Sequence, residues 1–395
     1  RAFAFGNMVS ANVFNHLWIH YRINTDIYGY FKWIFEYHFV YLRINTDMTS
    51  LKINNLELDL SMRIMSELSA IDRFDARWAS IEKREGSTLK QLKSIATVKS
   101  VGASTRIEGS KMTDDEVSVL IENINISSFE ERDQQEVAGY FETLDTIAEN
   151  YATIGITESQ IKSLHNLLMK HSIKDAWHKG EYKQVTNAVE ANLPDGTKRT
   201  IFKTTEPGLQ THDAMMRLIE WYNSDEETLP LVKDALFVYE FLSIHPFQDG
   251  NGRLSRLLAS LLLLKNGYSW IQYVSFEHEI ENRKSAYYKV LMDTQKNRPG
   301  ENVTQWLEFF MGCLNTIQTN LLLKLEENRK VSEKLSLREE RIRFFIQHHA
   351  GCSSGNISAK LDIPLPTVKK SLIELLDKKV ITKEGVGRAT GYYSL

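Results

Sequence analysis

The sequence predicts a mainly α-helical protein that carries one β-hairpin and ends in a small α+β domain. Three observations support this fold class. Apolar residues recur every three or four positions over most of residues 58–330, which is typical of helices that bury one face. One segment, 182–203, has β-rich flanks around the turn sequence PDG. Residues 336–395 read as three short helices followed by two short strands.

The composition is that of a soluble globular protein. The 395 residues, 42% hydrophobic and 25% charged, suggest two or three domains. A net charge of −3 gives no general argument for binding nucleic acid or a membrane, and no apolar run is long enough to span a bilayer. Cys313 and Cys352 are too few for a disulfide framework or a thiolate zinc site, which favours a reducing cytoplasm.

Residues 1–47 differ from the rest of the chain. They are crowded with aromatic residues, repeat the sequence RINTD and begin on Arg1. We interpret them as a leader or an upstream artefact, with a natural start at Met48. The alternative is a genuine aromatic segment that mediates association.

The helices follow in order from Leu51. Gly109 offers a stop for the second helix, and Thr157 opens a Thr-x-x-Gln capping box. We divide this part into an N-terminal helical region, 48–130, and a central domain, 131–330. The predicted helical segments are 58–83, 89–109, 135–151, 157–171, 209–223, 231–244, 252–265, 278–296 and 303–330. In the C-terminal domain they are 338–349, 354–362 and 366–379, and the order of helices and strands there is that of a winged helix.

The segment HPFQDGNGRLSR, residues 245–256, carries the densest chemistry. Pro246 ends the preceding helix, so His245 lies at a helix end beside a loop. Gly250 and Gly252 allow a tight turn and a close approach of the backbone to a ligand. The free N–H groups at the start of the next helix form an anion-binding site.

The charged residues of this segment fit a polyphosphate. Arg253 and Arg256 oppose the helix dipole unless they bind phosphate oxygens. Asp249 supplies one hard oxygen ligand, which suits Mg²⁺, and His245 remains as a general base. The structural alternative is a core histidine, a plain turn and two surface arginines. It requires several coincidences in one short segment, so we favour the functional interpretation. The pattern is not a P-loop, which needs GxxxxGK[ST].

HPFQDGNGRLSR also matches the signature HxFx[DE]GNGRxxR, and over roughly residues 95–325 the chain resembles the Fic family. The resemblance implies a Fic-type helical domain whose β-hairpin acts as a flap. Most members transfer AMP from ATP to a hydroxyl group of a protein, so the resemblance implies a protein adenylyltransferase that uses ATP and Mg²⁺.

The resemblance also implies roles for the motif residues. His245 would deprotonate a Tyr, Ser or Thr hydroxyl of the target, and Asp249 would bind Mg²⁺ between the α- and β-phosphates. Relatives that transfer phosphate carry lysine at the position of Gly252, so adenylyl transfer is favoured here. The residues implied to hold the phosphates are Gly250, Asn251, Gly252, Arg253 and Arg256.

Two further segments extend the resemblance. GEYKQVTNAV, 180–189, resembles the flap sequence GxYRxxQNWI, which aligns an extended target segment by strand addition. Asn187 matches its asparagine, whereas Lys183 replaces its arginine. Tyr287 and Tyr288 match a pair that borders the adenine in relatives, and their alternative is a place in the core.

STRIEG, residues 104–109, resembles the inhibitory pattern [ST]xxxE[GN]. Ser104 and Glu108 match it, and Glu108 would pair with Arg256 and occupy the site that the γ-phosphate requires. The alternative is a solvated glutamate at a helix end. In some relatives the same glutamate supports removal of AMP, so a bifunctional enzyme is a second alternative.

The C-terminal domain suggests a further partner. Residues 337–395 hold ten Lys or Arg against six Asp or Glu, a balance of +4 that fits DNA. Lys369 and Lys370 lie at the start of the candidate recognition helix, and Lys383 lies in the wing. Winged helices also bind proteins, so a DNA-binding regulator that senses nucleotide is the alternative function. From the resemblance we also expect modification of the protein itself and a homodimer.

Overall fold

The computed structural model describes residues 56–59, 61–124, 129–192, 198–332, 335–385, 387 and 390–394. The predicted leader, 1–47, lies outside the described residues. Helices dominate the described chain, and the strands form two antiparallel pairs.

Among the described residues, five helices precede the hairpin: α1 (Met62–Arg84), α2 (Gly86–Ile107), α3 (Asp114–Glu122), α4 (Arg132–Asn150) and α5 (Glu158–Leu168). Four of them agree with the predicted segments. The exception is α3, which the periodicity did not reveal, although Thr113 and Glu116 form a reciprocal capping box at its start. The Thr-x-x-Glu spacing in the sequence was therefore the available signal.

The hairpin consists of β1 (Ala188–Asn192) and β2 (Lys198–Lys203), which pair antiparallel from Ala188↔Lys203 to Asn192↔Lys198. The register shifts between Val189 and Glu190. The predicted turn at its tip, residues 193–197, lies outside the described residues.

Seven elements follow the hairpin: α6 (Leu209–Ser224), α7 (Pro230–Ile244), α8 (Asn251–Lys265), a 3₁₀ helix (Ser269–Tyr273), α9 (Phe276–Asn282), α10 (Lys284–Gln295) and α11 (Thr304–Ser332). The single helix predicted over 278–296 is wrong, because the chain turns at Arg283. That residue leaves helical geometry with φ −109° and ψ 23°. Its guanidinium contacts Glu279 at 2.5 Å and Thr316 of α11 at 2.7 Å, so tertiary contacts hold the bend.

The main core is built around α7 and α8. Residues 253–264 of α8 are all buried, as expected for a helix surrounded by other helices. Leu68 and Val101 pack into the same core as Val137 and Leu164, so the predicted regions 48–130 and 131–330 share one core. The loop that joins α7 to α8 carries the HPFQDGNGRLSR motif, and both of its ends are therefore fixed in the core.

The C-terminal elements are α12 (Leu337–His348), α13 (Ser354–Leu361), α14 (Leu365–Asp377), β3 (Ile381–Glu384) and β4 (Gly391–Ser394). β3 and β4 pair antiparallel from Ile381↔Ser394 to Glu384↔Gly391. These elements enclose a second hydrophobic core, which includes Ile342, Ile357 and Leu372. In the part of the chain that the structure describes, no helix is long and apolar enough to cross a membrane.

Candidate active site

His245 is the residue that ends α7. Its backbone lies in the left-handed region at φ 54° and ψ 60°, an uncommon conformation for a residue with a side chain. The ring atom Nδ1 lies 3.3 Å from the carbonyl oxygen of Leu242. A carbonyl can only accept, so this contact places the proton on Nδ1 and leaves the lone pair on Nε2. Burial, and then the nearby Lys183, lower the pKa of His245 to about 4. The imidazole is therefore a neutral base at neutral pH.

The loop after His245 is held by Asn251. Its Oδ1 accepts from the N–H of Phe247 at 2.9 Å, and its Nδ2 donates to the carbonyl of Phe247 at 2.7 Å. The sequence predicts Asn251 in the phosphate cradle, but its side chain is used to close this loop. Leu254 donates the first intrahelical bond, to the carbonyl of Gly250 at 2.9 Å. The N–H groups of residues 251–253 precede that bond, so backbone donors remain at the helix start for an anion.

Asp249 presents one carboxylate beside this helix start. Its Oδ1 accepts from the Gly250 N–H at 2.6 Å and lies 3.3 Å from Nη2 of Arg253. Its Oδ2 has a looser partner, Arg132, at 3.7 Å. Burial alone raises the pKa of Asp249, but Arg253, the Gly250 N–H and Arg132 together bring it below its ordinary value. The carboxylate is therefore ionised, with one oxygen suited to a further ligand.

This donor set fits Mg²⁺. Mg²⁺ usually takes one or two protein carboxylates and completes its shell with water and phosphate oxygens. Among the described residues no group of three or more His, Cys, Asp or Glu side chains forms a dedicated metal cage. Asp249, with its partly exposed carboxylate, matches the simpler arrangement.

The two motif arginines have different surroundings, although the sequence assigns them one role. Arg253 is buried against Asp249, at 3.3 Å, and Glu136, at 3.5 Å. Within the part of the chain that the structure describes, its Nε and Nη1 have no hydrogen-bond partner. Arg256 instead lines the cavity beside His245, whereas Arg253 does not. Arg256 is therefore the motif arginine that the structure places at the cavity wall.

The guanidinium of Arg256 is hydrogen-bonded to residues at the end of α2. Its Nε donates to Oγ of Ser104 at 2.8 Å, and its Nη2 donates to the Ser104 carbonyl at 3.0 Å and to Oε1 of Glu108 at 2.7 Å. Its Nη1 has no hydrogen-bond partner among the described residues. A Cβ added to Gly252 would collide with the Glu108 carboxylate. The Glu108 carboxylate thus lies at the positive end of α8, where an anion is stabilised.

The base of the hairpin is tied to the His245 loop by a lysine that the sequence shows only as a replacement of arginine. Lys183 is 1% exposed, and its Nζ donates to the Ile244 carbonyl at 3.2 Å, Asn187 Oδ1 at 3.0 Å and Thr204 Oγ1 at 2.7 Å. Asn187 in turn donates from Nδ2 to the Phe247 carbonyl at 2.9 Å. Burial lowers the pKa of Lys183 to about 8. Asn187 and Lys183 therefore fix the hairpin base against the loop.

His165 joins the same loop to the residues before the hairpin, and the sequence offered no signal for it. Its Nδ1 accepts from the Gly180 N–H at 2.9 Å, so Nε2 carries the proton and donates to the Asp249 carbonyl at 3.0 Å. The ring stacks on Phe247 with centroids 3.8 Å apart. Burial lowers the pKa of His165 to about 4, which keeps both contacts intact at neutral pH.

These groups surround a cavity of about 250 Å³. Helix α10 supplies one wall, in which Tyr287, Leu291 and Gln295 are spaced one turn apart and Tyr288 is adjacent. The turn spacing from Tyr287 was the signal for Leu291 and Gln295, which the sequence interpretation did not include. Burial raises the pKa of Tyr287 to about 12, so the phenol is neutral. The lining residues are Glu108, Asn187, Leu242, His245, Gln248, Asp249, Gly250, Asn251, Gly252, Arg256, Tyr287, Tyr288, Leu291 and Gln295.

Comparison with known proteins relates part of the chain around this cavity to a protein family. A model of the Fic/DOC family matches residues 155–263, which contain the hairpin and the His245 loop. Curated relatives named protein adenylyltransferase Fic include those of Drosophila mojavensis, 29% identical over 239 residues, and Drosophila virilis, 31% identical over 186 residues. The first match covers 59% of this chain and 45% of the relative, and the second 46% and 36%. The chain thus spans less than half the length of either relative.

Solved structures agree on the fold. A Fic family protein from Desulfovibrio desulfuricans G20 is similar with a TM-score of 0.58 and 22% identity, covering 85% of this chain and 97% of that one. A Fic domain containing signaling protein from Bacteroides thetaiotaomicron VPI-5482 is similar with a TM-score of 0.52 and 24% identity, and the match covers 66% of this chain and 97% of that one. Residues 155–263 of this chain thus contain a Fic/DOC family domain, and the curated relatives that match the chain carry the Fic name.

Proposed function

We propose that this protein transfers AMP from ATP to a hydroxyl side chain of a protein, with release of pyrophosphate. The observation that carries the proposal is the cavity itself. It brings together a neutral imidazole, an ionised carboxylate, a helix start and a buried guanidinium, on His245, Asp249, Gly252 and Arg256. Similar relatives carry the name protein adenylyltransferase, which supports the same chemistry.

The reacting proton goes to His245. Its Nε2 has a free lone pair because Nδ1 is bonded to the Leu242 carbonyl. A Tyr, Ser or Thr hydroxyl of the target donates its proton to Nε2 while its oxygen attacks the α-phosphorus. The bond from the α-phosphorus to the bridging oxygen breaks, and pyrophosphate leaves with the electron pair. The products are the adenylylated side chain, pyrophosphate and one proton.

The phosphate chain is bound by positive groups that are already oriented. The backbone N–H groups at the start of α8 and the guanidinium of Arg256 supply fixed donors, which suit an anionic transition state. Gly250 and Gly252 leave room for the phosphates, and Arg253 orients Asp249 through their 3.3 Å contact. Asp249 would hold Mg²⁺, which supplies charge neutralisation on the phosphates when bound. Tyr287 and Tyr288 would border the adenine.

We also propose that Glu108 inhibits the reaction. Its carboxylate and the Ser104 side chain occupy Arg256, which a bound γ-phosphate needs. Arg256 is 2% exposed, and Glu108 raises its pKa above the ordinary value in spite of burial. Only Arg256 is fully buried in this pair, since the Glu108 side chain is 33% exposed, and a buried guanidinium that loses its carboxylate is costly. ATP therefore binds without its productive phosphate geometry while Glu108 stays in place.

The hairpin and the C-terminal elements extend the proposal. The hairpin acts as a flap that aligns an extended segment of the target by strand addition, with Asn187 at its base. Residues 336–395 form a winged helix, consistent with three helices, one strand pair and a separate core. The reaction takes place in the cytoplasm, where the two free, buried cysteines stay reduced. The protein also labels itself and forms a homodimer.

The test uses wild type, His245→Ala and Glu108→Gly with Mg²⁺ and ATP labelled in its α-phosphate. Protein-bound label should be low in wild type, high in Glu108→Gly and absent in His245→Ala. ATP labelled in its γ-phosphate is the control, because adenylyl transfer leaves no γ-label on the protein. Label from neither ATP in any variant would exclude a transferase, and γ-label on the protein would indicate a kinase instead. Loss of AMP from a labelled target with wild type alone would support the bifunctional alternative.

A second candidate function is regulation of DNA. The observation that favours it is the exposed pair Lys369 and Lys370 near the start of α14, together with Lys383 on β3. The same helix carries Glu374 and Asp377, which weaken the positive face. Salt-dependent retardation of duplex DNA that Lys369→Ala and Lys370→Ala together abolish would support it. Equal retardation by the double variant would count against it.

A further inference from the structure

The last turn of α2 is held on two faces. On one face Ser104 and Glu108, four residues apart, both bind Arg256 of α8. On another face Arg106 binds Glu281 of α9, with Nε 2.7 Å from Oε1 and Nη2 3.0 Å from Oε2. This second contact is a bidentate pair, in which both the distance and the plane of the guanidinium are fixed.

Arg106 also reaches the segment that follows α2. Its Nη1 donates to the Met112 carbonyl at 3.1 Å and lies 3.0 Å from Oδ1 of Asp114, at the start of α3. The packing is tight, because a Cβ added to Gly102 would lie 2.6 Å from the same Nη1. We call Arg106, Met112, Asp114 and Glu281 the Arg106 cluster. One guanidinium thus joins the end of α2 to both α3 and α9.

The charges of the Arg106 cluster are stable at neutral pH. Burial alone raises the pKa of Glu281, but Arg106 lowers it below its ordinary value. Glu281 in turn raises the pKa of Arg106. The cluster therefore contains a charged pair, and its geometry is fixed because three nitrogens of the Arg106 guanidinium each donate a hydrogen bond.

Glu108 depends on the position of this turn. It is the residue that caps α2, two positions after Arg106, and Gly109 turns the chain away at φ 111°. Nothing between Arg106 and Glu108 relaxes the helical path, since Ile107 is the last residue of α2. If the Glu108 carboxylate leaves Arg256 together with the last turn, the Arg106 cluster must open first.

We propose that the Arg106 cluster positions Glu108, so that inhibition of the enzyme depends on Arg106 and Glu281 as well as on the glutamate itself. The inference rests on the proposed inhibition by Glu108. Arg106 is a positioning residue, since its side chain contacts α3 and α9, whereas Ser104 and Glu108 are the residues that meet Arg256. The side chains of Arg106, Glu281 and Asp114 are 21%, 23% and 37% exposed, whereas that of Arg256 is 2% exposed. The cluster therefore reaches the protein surface, as does Glu108, whose side chain is 33% exposed.

The experiment measures the initial rate of protein labelling from ATP labelled in its α-phosphate. The variants are Arg106→Ala, Glu281→Ala and both together, each made in the wild-type and in the Glu108→Gly background. In the wild-type background each single variant should raise the rate by at least about fivefold, the lower end of ordinary coupling between linked sites. The double variant should match the singles, because either change opens the same cluster.

The Glu108→Gly background separates positioning from other effects. Arg106→Ala should add nothing there, since the carboxylate that it positions is gone. Arg106→Lys, which keeps the charge and loses the fork, should give a smaller rise. Arg63→Ala is the matched control, because Arg63 pairs with Glu67 at 3.2 Å and is 66% exposed. That variant should keep the wild-type rate.

Each outcome has one meaning. If Glu108→Gly raises labelling while Arg106→Ala and Glu281→Ala do not, Glu108 leaves by side-chain rotation alone and the positioning role is overturned. An equal rise from Arg106→Ala in both backgrounds would also overturn it, because the effect would not pass through Glu108. No rise in Glu108→Gly would instead overturn the inhibition itself. If Arg106→Ala does not fold, Arg106→Lys and Glu281→Gln carry the same comparison.

Discussion

Replacement of Asn251 by alanine tests which hydrogen bonds hold the loop between His245 and α8. The Asn251 side chain is 1% exposed and makes both of its hydrogen bonds to Phe247, at 2.9 Å to the N–H and 2.7 Å to the carbonyl. Asn251→Ala removes both bonds at once. The Phe247 carbonyl keeps a second donor, Asn187 Nδ2 at 2.9 Å, whereas the Phe247 N–H loses its acceptor inside the protein.

The expected cost follows from this difference. An orphaned buried N–H costs about 1–3 kcal/mol, and loss of one bond at a carbonyl that keeps another donor costs about 0.5–1.5 kcal/mol. Asn251→Ala should therefore lower the free energy of unfolding by about 1.5–4.5 kcal/mol. It should also lower the transfer rate, because the loop sets the distance from His245 to the phosphates, and small displacements of reacting groups are costly.

Chemical denaturation followed by tryptophan fluorescence measures the stability. The last tryptophan in the sequence is Trp306, so the signal does not come from the C-terminal elements. Asn150→Ala is the matched control, because its side chain is exposed and donates one bond, to the Thr146 carbonyl at 3.0 Å. We expect that control to stay within about 0.5 kcal/mol of wild type.

The transfer rate is measured in the Glu108→Gly background, where labelling is strong. If Asn251→Ala has the stability and the rate of its parent, the loop does not depend on Asn251 and the reasoning is refuted. If stability falls but the rate does not, the bonds stabilise the fold without positioning His245.

Two further sites give sharp expectations. Burial and then Lys183 lower the pKa of His245 to about 4, so Lys183→Met should raise that pKa. The acid limb of the pH–rate profile should then move to higher pH, whereas Lys183→Arg should leave it in place. An unmoved limb in Lys183→Met would contradict the electrostatic role. Burial lowers the pKa of Lys183 from 10.5 to about 8, so the unfolded chain binds this proton more tightly than the folded chain does. As the pH rises between these two values, the free energy of unfolding of wild type should therefore increase relative to that of Lys183→Met, by up to about 3 kcal/mol. A difference between the two unfolding free energies that stays constant with pH would argue against this role. Gly139→Ala should lower the free energy of unfolding by about 1–3 kcal/mol, because its Cβ would collide with the Leu168 carbonyl. Gly86→Ala is the control, because its Cβ meets no atom within 4 Å. Equal stability of the two variants would show that α4 and α5 adjust freely.

Much of the helical fold was predictable, because each long helix repeats its apolar residues with helical spacing. The bend at Arg283 was not, since it depends on contacts with Glu279 and with Thr316 of the distant helix α11. Helix α3 is short, and only its capping box marks it in the sequence. Periodicity therefore predicts long buried helices well, and short or bent ones less well.

The candidate site was predicted in part. The residues of the HPFQDGNGRLSR segment are close in sequence and must be close in space, so a local motif revealed them. The structure separates their surroundings, with Arg256 on the cavity wall and Arg253 against Glu136. His165 and the contacts of Lys183 were missed because their partners, Asp249 and Ile244, lie 84 and 61 positions away in the sequence.

The helical class, the loop that carries His245 and Asp249, and the resemblance to a family could all be predicted from the amino-acid sequence. Those features depend on residue types at short spacings. The family resemblance predicted that Glu108 pairs with Arg256, 148 positions away, whereas the contact between Arg106 and Glu281, 175 positions away, is seen only in the structure. A local pattern cannot specify which distant charges meet, because packing of the helices determines that distance. The contacts that hold the last turn of α2 therefore depend on the packing of the helices, whereas the residues of the HPFQDGNGRLSR segment are already adjacent in the sequence.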